Sequence, residues 1–167
     1  MVSLRFEEYT TDEQLAALAE LADVIWHEYF PGIISDAQID YMVENIQSFE
    51  AMKRQTTEQG YHYFAVVMDE VPVGYYAVAK QSDGSLLLSK LYLRADMRRK
   101  GLASMMFREV RRYARREGIQ LIWLTVNRGN THAIEVYKHF GMRLLREEKF
   151  DIGGGFYMDD EIYGIMV

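Results

Sequence analysis

One basic segment has the residue types and spacing to bind an anion. It lies between a strand-like apolar run and a helix-like one and reads Arg98, Arg99, Lys100, Gly101, Leu102, Ala103, Ser104. The first N–H groups of a helix have no intrahelical acceptor and lie at the positive end of its dipole. Small residues let an anion approach those amides closely, so the segment predicts a phosphate site. The alternative is a well-capped helix with a solvated basic start.

A second candidate site combines aromatic residues with a carboxylate. Trp26, Tyr29 and Phe30 surround Glu28, directly before the helix-breaking pair Pro31-Gly32. Aromatic faces attract cations and a carboxylate pairs with them, so this segment suits a cationic amine that has an apolar stem. The alternative is a hydrophobic hinge between two helices.

Composition narrows the classes of protein to consider. The chain has 167 residues, 49 % of them apolar and 26 % charged, which is typical of one globular domain spanning 1–167. It has no cysteine, which excludes disulfides, thiolate catalysis and cysteine-bound zinc, and we expect no metal site. The net charge of −6 argues against nucleic-acid binding. No run is apolar enough for a membrane span and no signal peptide is evident, so we expect a cytoplasmic protein.

The elements that must position these residues follow from hydrophobic spacing. Capping boxes start two helical stripes, at Thr11-Gln14 and at Ser35-Gln38, and the second stripe continues to Phe49. A helix follows the basic segment and a shorter one starts at Asn130. Strands are predicted at 2–9, 61–68, 73–80, 85–94, 119–126, 142–150 and 156–166. The order β-α-α-β-β-β-α-β-α-β-β predicts one α+β domain, with a mixed, mostly antiparallel sheet of about seven strands and four helices on its two faces.

Two motifs in this order resemble those of the Gcn5-related N-acetyltransferase (GNAT) superfamily. The first is Arg/Gln-x-x-Gly-x-Gly/Ala after the fourth strand, here residues 98–103. The second is Asn-x-x-Ala-x-x-x-Tyr followed by Phe-Gly-Met, here residues 130–142. The resemblance covers essentially the whole chain and implies the GNAT acyl-coenzyme A N-acyltransferase fold.

The resemblance also implies acetyl-coenzyme A as the acetyl donor. Its pyrophosphate would lie on the amides from Arg99 to Ser104, beside Arg98. Its pantetheine arm would pair like an extra strand with Leu91, Tyr92 and Leu93, where the fourth and fifth strands splay apart, and Asn130 would hydrogen-bond the arm. A backbone N–H near Leu93 would meet the oxyanion.

Chemistry in the family is direct attack of an amine on the thioester carbonyl. The resemblance implies that Tyr137 is the general acid that protonates the departing thiolate; without the resemblance, a tyrosine on this helix face is more often a core residue whose hydroxyl is satisfied. An alkylamine arrives protonated and must lose a proton before attack. No residue is a clear base, and the candidates are Glu28, Tyr92 and histidines 27, 62, 132 and 139.

The sequence defines the acetyl acceptor less closely than the acetyl donor. The resemblance places Trp26, Glu28, Tyr29 and Phe30 at the acceptor pocket, and the acidic tail at 156–161 is similar to bacterial spermine and spermidine acetyltransferases. This favours a small, cationic, polyamine-like amine. The alternatives are a protein N-terminus or lysine as acceptor, and a non-catalytic coenzyme A-binding or basic-helix nucleic-acid module. A homodimer is compatible with the sequence.

Three residues depart from the family pattern at the phosphate site. The usual preceding proline is absent, Arg99 replaces a common glycine, and Ala103 replaces a common second glycine. Asp96 beside the site would be unfavourable to an anion unless an arginine pairs with it.

Overall fold

A computed structural model describes residues 3–167 and shows seven strands and five α-helices in that range. In chain order they are β1 (Leu4–Tyr9), α1 (Asp12–Tyr29), α2 (Asp36–Ile46), α3 (Phe49–Glu58), β2 (Tyr61–Met68), β3 (Val71–Lys80), β4 (Leu86–Leu93), α4 (Leu102–Arg116), β5 (Leu121–Asn127), α5 (Thr131–His139), β6 (Arg143–Gly153) and β7 (Phe156–Met166). The predicted start of the first strand at Val2 lies outside the described residues.

One mixed sheet contains all seven strands, in the order β1-β2-β3-β4-β5-β7-β6. Every neighbouring pair is antiparallel except β4 and β5, which are parallel. Helices α1, α2 and α3 cover one face, and α4 and α5 cover the other, so that each face has its own hydrophobic core. The predicted α+β class, the strand number and the placement of helices on both faces are confirmed.

The number of helices was predicted wrongly. We expected one helix from Ser35 to Phe49, but α2 ends at Ile46 and α3 begins at Phe49. Ser48 starts the new helix because its hydroxyl accepts a hydrogen bond from the Ala51 N–H at 3.2 Å. The side chain of buried Gln47 donates to the Ile46 carbonyl at 2.8 Å, which satisfies an acceptor at the break. The break adds the fifth helix.

Two of the hairpin turns, β2–β3 and β6–β7, are tighter than the sequence suggested. Asp69 and Glu70 connect β2 to β3 with φ angles of 49° and 68°, and Gly154 and Gly155 connect β6 to β7 with 60° and 80°. Two successive positive φ values match the right-handed twist of the flanking strands. Both loops therefore have two residues, and the strands extend further into the predicted turns.

The feature that positions the site is a gap in the sheet between β4 and β5. In the described chain these strands pair only at Leu86–Ile122 and Leu87–Trp123. The register between β3 and β4 shifts after Leu88, where Ser89 is the extra residue of a β-bulge. Beyond this bulge, β4 bends away from β5, and the backbone of its second half faces a cavity.

Within residues 3–167, no helix combines the length and apolar character needed to cross a lipid bilayer.

Candidate active site

A cavity of about 530 Å³ occupies the gap between β4 and β5 and reaches both faces of the sheet. Helices α1 and α2 close one end, and α5 with the start of α4 closes the other. Ten of the residues predicted for the site line it: Trp26, Tyr29, Phe30, Leu91, Tyr92, Leu93, Arg98, Ala103, Asn130 and Tyr137. Segments more than a hundred residues apart in sequence thus meet at one place.

Four aromatic rings form the wall on the α1 side. The ring centroid of Tyr92 lies 5.4 Å from that of Trp26, 6.0 Å from Tyr29 and 6.1 Å from Phe30. The Trp26 indole N–H donates to the Tyr75 hydroxyl at 2.9 Å. Edge and tilted contacts of this kind hold the rings in fixed orientations, so the wall is a rigid aromatic surface.

Glu28 is absent from the cavity lining, although it was predicted with the aromatic residues. Its side chain is exposed to solvent. Trp26 and Phe30 are four residues apart and therefore share the inward face of α1, whereas Glu28, two residues after Trp26, falls on the outward face. The structure does not bring Glu28 to the candidate site.

The predicted phosphate segment forms an exposed turn at the start of α4. Gly101 is the N-cap of α4 with a φ of 80°, and Arg99 has a φ of 62°. Nothing lies within 4 Å of where a Gly101 Cβ would be, so this side of the turn is open. Arg99, Lys100, Gly101 and Ser104 are exposed, beside the cavity residues Arg98 and Ala103, while the Leu102 side chain is buried in the core. The open turn at the cavity edge has the form expected of a phosphate-binding helix start.

Arg98 links this turn to the aromatic wall. Its Nε donates to the Leu93 carbonyl at 3.2 Å, and its guanidinium carbon lies 4.9 Å from the centroid of the Tyr29 ring. Its Nη2 is buried and has no hydrogen-bond partner in the described structure. A buried N–H of a cation left without an acceptor is costly. The residues therefore fit a ligand that brings an anionic group to this position.

Asp96 does not oppose an anion here, because Arg94 neutralises it. Arg94 Nε and Nη2 donate to the two carboxylate oxygens at 2.6 and 2.8 Å. This pair lowers the pKa of Asp96, which stays ionised and matched by a cation.

Asn130 and Tyr137 lie on the far side of the gap. The Asn130 Oδ1 caps α5 by accepting from the Ala133 N–H at 3.3 Å, and it also accepts from the Tyr29 hydroxyl at 2.8 Å. Its amide NH₂ is then the group that can donate to a ligand. Burial raises the pKa of Tyr137 well above its ordinary value, so its hydroxyl keeps its proton at neutral pH and can donate it.

Most of the predicted candidates for a base lie elsewhere. His27 contacts Asp23 and Asp40 on the surface, and His62 contacts Glu8. His139 is exposed and outside the cavity lining, whereas His132 lines it. Tyr92 also lines the cavity, but burial raises its pKa far above 10, so it does not accept a proton at neutral pH.

The structure adds two charged residues to the wall: Lys90 was not predicted for the site, and Asp160 was predicted only as part of the acidic tail at 156–161. Asp160 of β7 is 3 % exposed, and its Oδ1 has no partner in the described structure. Burial raises the pKa of Asp160 to about 6. Lys90 of β4 is also buried, beside Ser89 and over the Tyr61 ring, and burial lowers its pKa to about 8. Both residues occupy inward positions of strands, where charged residues are rare. A charged residue at such a position was the feature of the sequence that could have indicated them.

Comparison with known proteins agrees with this geometry. The sequence model of the acetyltransferase (GNAT) family matches residues 18–142. None of the curated protein sequences that were compared matches this chain.

Three similar solved structures illustrate the shared fold. One is PaiA N-acetyltransferase from Thermoplasma acidophilum in complex with coenzyme A, with a TM-score of 0.80 and 20 % identity, covering 100 % of this chain and 99 % of the other. A GCN5-related N-acetyltransferase from Rhodopseudomonas palustris has a TM-score of 0.81 and 13 % identity, covering 99 % and 96 %. A GNAT acetyltransferase from Elizabethkingia anophelis with acetyl-CoA bound has a TM-score of 0.62 and 9 % identity, covering 98 % of each chain.

The family match covers three quarters of the chain and includes both motifs that border the cavity. The chain therefore belongs to the GNAT acetyltransferase family and is an acyltransferase whose co-substrate is acetyl-CoA.

Proposed function

We propose that this enzyme moves the acetyl group of acetyl-CoA to a primary amine of a small, cationic, polyamine-like molecule. The observation that carries the proposal is the cavity itself, which runs from the exposed amides at the start of α4, through the gap in the sheet, to an aromatic wall. Such a passage lets a donor and an acceptor meet from opposite faces of the sheet.

The donor would occupy the α4 and α5 end of the cavity. The amides from Arg99 to Ser104 would hold the pyrophosphate, with the unpartnered Nη2 of Arg98 facing it. The backbone of Leu91–Leu93 has no β5 partner and would pair with the pantetheine arm, and Asn130 would donate its amide N–H to the same arm. Acetyl-CoA then supplies a thioester carbonyl inside the gap.

Two groups of the chain would act on the reacting atoms at this end. A backbone N–H near Leu93 would stabilise the oxyanion that forms when the amine attacks. The Tyr137 hydroxyl would give its proton to the departing sulfur. Because burial keeps Tyr137 protonated at neutral pH, its hydroxyl proton is available for transfer to the sulfur at that pH.

The acceptor would enter from the α1 and α2 side. Trp26, Tyr29, Phe30 and Tyr92 offer aromatic faces to its apolar stem and its charge. The cavity lining includes two carboxylates, Asp151 and Asp160, which attract the ammonium groups of a polyamine. This combination supports a polyamine-like acceptor over a neutral amine.

Release of free coenzyme A from acetyl-CoA, measured across an acceptor panel, tests the proposal. The panel comprises spermidine, spermine, amino acids, aminoglycosides and lysine-containing peptides. We expect the highest kcat/KM with spermidine or spermine. Turnover confined to peptides would favour the protein-acetyltransferase alternative, and no turnover with any amine would overturn the proposed function. The cytoplasmic location and the homodimer stay predictions.

A further inference from the structure

Asp160 is a buried carboxylate that takes no part in the proposed binding of acetyl-CoA. It lies on β7, is 3 % exposed, and its Oδ1 has no hydrogen-bond partner among residues 3–167. The Thr125 side chain hydrogen-bonds the carboxylate, but a buried carboxylate oxygen that lacks a partner is costly, and proteins rarely retain one without a reason. Because Asp160 also lines the cavity, the missing partner is one that a ligand can supply.

The surroundings of Asp160 carry no cation that would pair with it. Thr125 and Asn127 of β5 face it, Tyr92 of β4 lies across the gap, and Asp159 precedes it on β7. Glu148 of β6 is its register partner on the other side. Within the described part of the chain, no lysine, arginine or histidine forms an ion pair with Asp160, in contrast to Asp159, which pairs with Arg128. Lys90, Arg98 and His132 line the same cavity, but none of them forms an ion pair with Asp160 in the described structure.

We propose that Asp160 is the catalytic residue that binds the ammonium group of the acceptor and takes its proton before attack. This inference rests on the proposed function, because it requires an alkylamine acceptor. An ammonium group supplies the positive charge and the N–H donors that the free oxygen lacks. The reaction needs the same contact, since only the neutral amine has a lone pair for the thioester carbon.

The proton and electron pairs balance in this scheme. One proton passes from the acceptor ammonium to the Asp160 carboxylate. The freed lone pair forms the C–N bond, the C–S bond breaks, and the sulfur leaves with its electron pair and takes the proton of Tyr137. The nitrogen then gives up its surplus proton to the Tyr137 phenolate, and Asp160 releases its own to solvent, so that each turnover liberates one proton.

A comparison of two classes of acceptor separates this role from a structural one. The comparison is made at pH 9, where the primary amines of spermidine are still largely ammonium ions, whereas hydrazine, a much weaker base, is largely neutral and needs no base before attack. Asp160→Asn has nearly the same shape but neither charge nor basicity. We expect it to lower kcat/KM for spermidine by about 10²-fold or more, and for hydrazine by less than about threefold after the uncatalysed rate is subtracted.

The controls use the neighbouring positions. Asp159→Asn removes an exposed carboxylate from the opposite side of β7 and should leave both rates within twofold of the wild type. Asp160→Glu should recover part of the spermidine activity. In the wild type, kcat/KM for spermidine should rise with pH through about 6 as Asp160 ionises, and this limb should vanish in Asp160→Asn.

Each outcome bears on a different claim. Equal rates for wild type and Asp160→Asn with spermidine would overturn the role of Asp160. Equal losses with spermidine and hydrazine would overturn it too, because they would indicate a damaged cavity. Absence of wild-type turnover with every amine, despite acetyl-CoA binding measured by thermal shift, would instead overturn the proposed function.

Discussion

The hydroxyl of Tyr29 donates a hydrogen bond of 2.8 Å to the side chain of Asn130, and this bond ties the end of α1 to the start of α5 across 101 residues of sequence. The same Tyr29 ring lies under the guanidinium group of Arg98. One tyrosine thus connects the residue expected to hold the pantetheine arm with the residue expected to face the pyrophosphate.

Tyr29→Phe should therefore uncouple Asn130 while keeping the ring under Arg98. Losing one hydrogen bond should cost about 1 kcal/mol of the free energy of unfolding, which lowers Tm by about 2–4 °C. We expect the KM for acetyl-CoA to rise, since Asn130 is then free to rotate. Differential scanning calorimetry and initial rates check both effects. An unchanged Tm would show that the hydrogen bond contributes nothing.

Replacing Tyr137 by phenylalanine removes the proposed acid without emptying its space. We expect kcat to fall by roughly 10²- to 10⁴-fold, with little change in the affinity for acetyl-CoA. Residual turnover should persist, because a thiolate leaves tolerably well without a proton. Tyr157→Phe is the matched control, since Tyr157 is 52 % exposed. Wild-type kcat in Tyr137→Phe would remove this residue from the mechanism.

Two substitutions of Gly101 separate the effect of charge on acetyl-CoA binding from the effect of backbone geometry. Its φ of 80° favours glycine, so Gly101→Ala should cost about 1–2 kcal/mol of stability and weaken acetyl-CoA binding moderately. Gly101→Asp has a backbone cost no larger than that of alanine and adds an anion at the helix start. Together with Arg98→Ala, it should abolish acetyl-CoA binding in isothermal titration calorimetry. Retained affinity in the double variant would place the phosphate site elsewhere.

Asp160→Asn should be more stable than the wild type at neutral pH although it is less active. The pKa of Asp160 is about 6 in the folded protein, above its ordinary 3.8, so the folded state binds the proton more tightly than the unfolded state does. The contribution of Asp160 to folding stability is therefore most favourable below about pH 4 and is lost as pH rises through about 6. At pH 8 the variant should gain roughly 3 kcal/mol of stability, and below pH 4 the gain should disappear. Thermal melts at both pH values measure this, and equal Tm values at pH 8 would contradict it.

Site residues that local patterns position could be predicted from the sequence, whereas those positioned by contacts between distant segments could not. The strands, the open turn before α4 and the position of Tyr137 on α5 follow short-range rules of spacing and capping, so local patterns predicted them. The aromatic residues of α1 also share one helical face. Glu28 was grouped with them because it is adjacent in the chain, but helical geometry turns it outward.

Other features depended on contacts that no local pattern contains. The break at Gln47 is stabilised by a side chain that also donates to Tyr63 of β2, so the end of α2 depends on a distant strand. Asp160 reaches the cavity because β7 inserts between β5 and β6, an arrangement of the sheet that the order of elements alone does not specify.

The short pairing between β4 and β5 has a consequence for cooperativity. Because only two residue pairs join these strands, the hydrogen bonds that would unite the β1–β4 half of the sheet with the β5–β7 half are few. A bound pantetheine arm would supply hydrogen bonds to the open edge of β4 and hold both halves together. Loading with acetyl-CoA should then slow amide hydrogen exchange in β4 and β5 together, which would make occupancy of the co-substrate a condition for the rigidity of the whole sheet.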